Sequence, residues 1–201
     1  PMEEETEFCG PIATKLWVSS DTKDADIFLV LRVFSPDLKE VVFHGALDPH
    51  TPVASGWLRA SHRKLDLDRS EEWAPFHTHD LEEPIVPDQV YELDIEIHAS
   101  GMVIPKGYRL ALSVRGRDYV YPGEPDAGLS NMKNQFTGVG PFLHDDLDNR
   151  PAEIFENNVT LHIGPKQSGY LLLPVVPPRG LMEAADSVRR LEILRNDGFI
   201  S

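Results

Sequence analysis

Two kinds of hydrophobic pattern run along this chain. Residues 27–34 form a continuous apolar, β-branched and aromatic run interrupted only by Arg32, and Ser35-Pro36-Asp37 closes it. That pattern predicts a central strand buried on both faces. Over residues 91–97, by contrast, Tyr91, Leu93, Ile95 and Ile97 alternate with Glu92, Asp94 and Glu96, the period of a half-buried strand. Residues 108–114 repeat that character, with Leu110, Leu112 and Val114 on the apolar face. Weaker signals predict a strand over 12–18 after a Gly10-Pro11 turn, a return strand at 41–44 that closes a hairpin, and a strand over 57–63. A last pair is expected at 158–163 and 170–176. Between them, residues 66–88 and 121–156 are rich in Pro, Gly, Asp and Asn without either period, and read as long loops.

Many short strands with turn signals and no alternating helices predict an all-β fold, an antiparallel jelly-roll β-sandwich with long loops. Phe28, Val30, Tyr91, Leu93, Ile95, Leu110, Leu112 and Leu172 are its expected core. After Pro177-Pro178-Arg179-Gly180 the period changes: Leu181, Ala184, Val188, Leu191 and Leu194 fall three and four apart, the stripe of a C-terminal helix over 181–195 that Asp197-Gly198 ends. The expected division is a sandwich domain over 1–179, its N-terminal edge truncated from something longer, and a helical extension over 180–201 through which the chain could form a homo-oligomer.

Composition narrows the partners. With 201 residues, 41% of them apolar, the chain suffices for one sizeable core. Its 33 acidic against 19 basic side chains leave a net charge of -14, which disfavours nucleic acid and anionic membrane surfaces. No apolar run approaches the roughly 20 residues of a membrane span, and no signal peptide opens the chain. A single cysteine, Cys9, has no intrachain partner, so no oxidising compartment is required and a cytoplasmic location is expected.

Candidate chemistry gathers at Trp57-Leu58-Arg59-Ala60-Ser61-His62-Arg63. On a strand of period two, Trp57, Arg59, Ser61 and Arg63 share one face, and Leu58, Ala60 and His62 the other. Same-face guanidinium groups fork onto carboxylates. Asp24 or Asp26 on a neighbouring strand would make a plain cross-strand ion pair, and another domain or a ligand would make the same groups a recognition surface. Trp57, Arg59, His62, Arg63, Asp24 and Asp26 are therefore the interdomain or ion-pair candidates. No catalytic residue is assigned. A Gly-x-Ser-x-Gly elbow is missing, Gly128-Leu129-Ser130-Asn131-Met132 being the nearest string, and no Gly-rich phosphate loop or dinucleotide fingerprint calls for a cofactor. Cys9 reads as a buried small hydrophobe. His77 and His79 with Asp80, and the segment His144-Asp145-Asp146-Leu147-Asp148-Asn149 with its cluster of oxygens, have ligand chemistry, but neither reaches a recognisable zinc or calcium spacing. No metal is expected.

Several of these strings recur in one family. Thr6-Glu7-Phe8-Cys9-Gly10-Pro11, Lys15-Leu16-Trp17-Val18-Ser19-Ser20 and Asp24-Ala25-Asp26-Ile27-Phe28 come first. Ser35-Pro36-Asp37, Gly56 to Arg63, Pro105-Lys106-Gly107-Tyr108-Arg109-Leu110 and Leu171 to Pro177 then follow in order. Together they resemble the C-terminal, galactose-binding-like jelly-roll domain of the X-Pro dipeptidyl-peptidase and cocaine-esterase (CocE/NonD) serine hydrolases. The resemblance spans about residues 6–179. It implies a parent protein that hydrolyses esters or amides with a Ser, Asp and His triad in an α/β-hydrolase domain. That domain, in the same protein or as a separate chain, would be the partner on which this one packs to shape the pocket entrance. The triad has no counterpart here, so this chain is expected to be inactive alone. Leu38 stands where the family's turn usually has Gly, and the helix over 181–195 extends beyond the family's usual end. The competing reading is a free-standing carbohydrate- or ligand-binding β-sandwich, with Trp57 or Trp73 as the platform.

Overall fold

In the computed structural model, residues 1–45, 47–123, 136–141 and 143–177 are described, with the backbone of 189–192. The strands are β1 (Thr6–Ser20), β2 (Asp26–Phe34), β3 (Glu40–Val41), β4 (Ala54–Arg59), β5 (Tyr91–Ile104), β6 (Arg109–Arg115), β7 (Val159–Leu161), β8 (Tyr170–Val176) and β9 (Arg189–Glu192), with one short helix, α1 (Ala152–Phe155). They form two antiparallel sheets. One runs β5-β1-β8-β9 with β7 also on β1; the other runs β3-β2-β4 with β6 also on β2. This is the all-β sandwich that the strand patterns predict.

The continuous run of β2 lies where both of its faces are covered. Ile27, Leu29, Leu31 and Val33 face the other sheet and join Ile12, Leu16, Val18, Leu93, Ile95, Ile97, Leu171 and Leu173 in one cluster. Phe28 and Val30, on the reverse face, are also buried. β4 and β6 flank β2 on opposite edges, since residues 28–31 pair with both. Of the expected core, Phe28, Val30, Leu93, Ile95 and Leu172 are buried, while Tyr91, Leu110 and Leu112 are half-buried against the cluster. Cys9, expected to be buried, is exposed. At Gly56 the backbones of the two sheets come into close approach. A Cβ there would run into the Glu96 carbonyl oxygen and lie 2.9 Å from Ile97 Cα.

Several expected boundaries shift. Gly10-Pro11 is a bulge inside β1 and not a turn before it: pairing with β5 slips between Gly10 and Ile12, and Gly10 takes φ +140°. A bulge leaves one residue out of the ladder, which suits a proline with no N–H. The return strand at 41–44 shrinks to Glu40–Val41, with Phe43 bridged instead to Thr51. The expected pairing of 158–163 with 170–176 does not form. β7 and β8 each pair with β1, at Val18–Ser20 and from Lys15 back to Glu7, so they lie end to end along its free edge. At fifteen residues, β1 is long enough to take both. The helix expected over 181–195 lies outside the described residues except at 189–192, whose backbone is the strand β9 on the open edge of β8.

The strand expected over 57–63 starts earlier and stops sooner. β4 ends at Arg59, and Ala60–His62 make a single 3-10 turn closed by Arg63 N donating to the Ala60 carbonyl at 3.3 Å. A long-range pull causes this. Ala60 N donates to Ala25 O at 2.8 Å, while Ser61 is drawn inward by the Asp24 carboxylate. Arg59 and Arg63 therefore do not share a strand face.

Candidate functional site

Asp26 opens β2 and Arg59 closes β4, and the two are register partners across the ladder. The guanidinium forks onto the carboxylate, Nε to Oδ1 at 2.8 Å and Nη2 to Oδ2 at 2.9 Å. Arg150 donates its Nε to the same Oδ2 at 2.8 Å, and its other nitrogens donate to the carbonyls of His144 and Gly116. One mostly buried carboxylate thus holds two arginines, an arrangement strong in geometry because each bond is charge-assisted. Hydrogen bonding to Asp26 raises the Arg59 pKa further. The Arg59 fork also lies over the Phe155 ring, 4.3 Å from its centroid.

Beside this trio stands Trp57, on the outer face of β4 and 45% exposed. His98 meets it edge-on at 5.3 Å between ring centroids, and His144 tilts against it at 5.0 Å. His144 is held in turn by Asp118, which accepts its backbone N–H at 2.7 Å and its Nδ1 at 2.9 Å, and it stands edge-on to Phe28. Trp57 forms a ridge between two clefts. One, of about 300 Å³, runs over Phe28, Val30, Ser55 and Tyr119 towards Gly138 and Gly140. The other, of about 350 Å³, is bounded by Asp26, Arg59, His62, His79 and His144.

The other candidates go elsewhere. Asp24 is buried and accepts Ala25 N at 2.8 Å, Ser61 N at 2.9 Å and Ser61 Oγ at 2.6 Å, so it ties β2 to the turn after β4. Arg63 donates to the carbonyls of Ala60 and Glu83 and lies over the Tyr91 ring at 4.8 Å, which pins the 66–88 loop to the sandwich. His62 lies 5.6 Å from His79, which lies 5.9 Å from His77. Burial pushes the His77 imidazole down to about 4, and the neighbouring His79 adds to the effect. Asp80 pairs with Lys64 at 3.1 Å and accepts from Thr78, which together hold its carboxyl below the usual range. In the acidic segment, Asp146 accepts from Asp148 N at 3.0 Å and from Asn149 Nδ2, a turn that closes on itself. Among the described residues no group of three or more His, Cys, Asp or Glu converges as metal ligands do. No described helix is long and apolar enough to cross a membrane.

His98, Asp118, His144 and Arg150 join the site although none of them is among the interdomain or ion-pair candidates of the sequence. His98 continues the outward alternation of Glu92, Asp94 and Glu96, which predicts that it is exposed but not that it meets Trp57 of the other sheet. The other three lie in aperiodic segments and carry no local signal.

Residues 1–171 match the family model described as the X-Pro dipeptidyl-peptidase C-terminal non-catalytic domain. Among solved structures, a CocE/NonD family hydrolase from Staphylococcus aureus is 26% identical with a TM-score of 0.68, over 88% of this chain and 29% of that one. An alpha-amino acid ester hydrolase, 14% identical with a TM-score of 0.54 over 88% of this chain and 24% of that one, shares the fold. The chain therefore spans under a third of the length of these hydrolases. A comparison with curated protein sequences gives no match.

Proposed function

Because this chain belongs to the family of X-Pro dipeptidyl-peptidase C-terminal non-catalytic domains, we propose that it is the accessory domain of a CocE-like serine hydrolase. In this reading the parent protein hydrolyses esters or amides in an α/β-hydrolase domain of the same polypeptide, and the sandwich packs on that domain and shapes the pocket entrance. A cytoplasmic location goes with the lone cysteine. The observation that carries the reading is the family match over residues 1–171, joined to a likeness that covers only 29% of the Staphylococcus aureus hydrolase. The test compares three samples on an activated acyl ester and an X-Pro anilide: the parent, the parent without these residues, and the chain alone. Phosphonate-sensitive turnover is expected in the parent, with altered KM or kcat on truncation and none in the chain alone. A parent without a reactive serine, or with kinetics unchanged by truncation, would overturn it.

One observation supports a second reading, a sugar- or ligand-binding module: Trp57 is exposed between two clefts, as stacking platforms on β-sandwiches are. Glycan binding by the chain alone that is lost on Trp57→Ala would put this reading first; its absence from a broad glycan array removes it.

A further inference from the structure

We propose that the outer face of β2 and β4 around Trp57 is the surface on which the catalytic α/β-hydrolase domain docks. The inference rests on the accessory-domain reading and says which side of the sandwich meets the partner. A protein like the matched Staphylococcus aureus hydrolase has most of its length outside the region that this chain covers, 29% of it, so the sandwich meets a large partner on some face.

Composition selects the face. Interface centres are enriched in Trp, Tyr, Phe and Arg and depleted in Lys, Glu and Asp. Trp57, Phe28, Tyr119 and Arg59 border the two clefts with the imidazoles of His62, His98 and His144; their described lining holds no Lys or Glu, and its carboxylates, Asp26, Asp48 and Asp118, are each engaged by internal hydrogen bonds. The opposite outer face has the reverse character. There Lys15 of β1 bridges Glu92 and Asp94 of β5 beside Tyr170 of β8, a charged network already partly buried within the domain.

Shape and charge agree with that choice. Trp57 is a ridge with a hollow of about 300 Å³ on one side and about 350 Å³ on the other, which fits a partner loop that sets a side chain into each hollow with the indole between them. Buried aromatic anchors of this kind carry most of the energy of an interface. Covering the face also leaves no carboxylate stranded, since Asp26 already holds Arg59 and Arg150, and Asp118 already holds His144. Burying a charge whose partner is in place avoids the larger cost of an uncompensated buried charge.

Hydroxyl-radical footprinting with mass spectrometry, on this chain alone and on the parent hydrolase, tests the assignment. Trp57 is expected to oxidise readily in the isolated chain and to be strongly protected in the parent, while Trp73 reacts alike in both. Equal oxidation of Trp57 overturns the proposal. Protection that falls on Tyr170 instead leaves the accessory-domain reading standing with the wrong face, and no protection at any residue takes that reading down as well. Trp57→Glu supplies a second measurement. Because the side chain is half exposed, the melting temperature of the isolated chain should move by no more than about 2 °C. In the parent, the same change should expose the interdomain link to protease; a link cut no faster than in the unaltered parent counts against the docking surface.

Discussion

Asp24 and Ser61, 37 residues apart, meet in the interior through two hydrogen bonds: Ser61 Oγ donates to Oδ2 at 2.6 Å and its backbone N to Oδ1 at 2.9 Å. Both residues are buried. Hydrogen bonds to a charged group contribute about 1.5–3 kcal/mol, so Ser61→Ala should lower unfolding stability by that amount. The urea midpoint should fall with the slope unchanged. A midpoint within error of the unaltered chain would show that the carboxylate is satisfied without the hydroxyl.

Leu93 of β5 is fully buried and pairs in register with Leu16 of β1. Leu93→Ala should cost about 2–5 kcal/mol, the range for buried leucines that leave a cavity. A loss under about half a kcal/mol in the same urea titration would mean that this face is not packed, since only surface changes are that mild.

Gly56 is the complementary case, in which adding one carbon does the damage. Its Cβ would meet the backbone of Glu96 and Ile97 on the facing sheet, and backbone cannot rotate aside as a side chain does. Gly56→Ala is expected to cost about 3 kcal/mol, the upper part of the overpacking range. Gly140, where an added Cβ would meet nothing within 4 Å but φ is +58°, separates strain from crowding: alanine there should cost only about 1 kcal/mol, the backbone penalty alone.

Acid should loosen the domain through His77. Its pKa falls from the ordinary 6.5 to about 4 because burial disfavours the charged ring. The folded state therefore binds fewer protons than the unfolded chain between those values. The contribution is fully present above pH 6.5, is lost as pH falls towards 4, and is flat below. Melting curves from pH 7 to 4 should show a smaller drop for His77→Gln than for the unaltered chain, and NMR titration should find the His77 ring neutral at pH 5. Equal drops together with a ring that protonates near pH 6.5 would refute this.

The chain alone is expected to show no esterase or dipeptidyl-peptidase activity. A triad needs a nucleophile for its base to activate, and losing it costs on the order of a millionfold. Purified chain incubated with an activated acyl ester should release product at the rate of buffer. Phosphonate-sensitive turnover that survives repurification would mean that a nucleophile lies within these residues.

How much is legible in the sequence depends on whether the cause is local. The alternation from Tyr91 to Ile97 and the unbroken run of β2 declare burial on one face and on two, because each pattern is written into neighbouring residues. The end of β4 is not written there. Ser61 leaves the strand because Asp24, on another element, binds it, and no reading of period two over residues 57–63 contains that pull. β7 and β8 are visible as strands, but their partner is decided by the length of β1. Around Trp57, the Asp26 and Arg59 pair follows from two strands that the patterns both reveal. Arg150 reaches Asp26 across 124 residues from a loop with no period at all.

The two edges of β1 also set a timetable for synthesis. Its ladder with β5 needs residues 91–104, and its other edge from Glu7 to Lys15 stays open until β8 arrives, since Thr14 bonds Tyr170 from 156 residues away. At about 5–20 residues per second, a ribosome takes roughly ten to thirty seconds to cover that distance. Throughout that interval a strand as long as any in the domain displays unpaired N–H and C=O groups, the template on which nascent chains cross-pair. Completion of this sheet thus waits on translation, and a message cut short before the codon for Tyr170 would yield a product with its longest strand half paired and prone to aggregate.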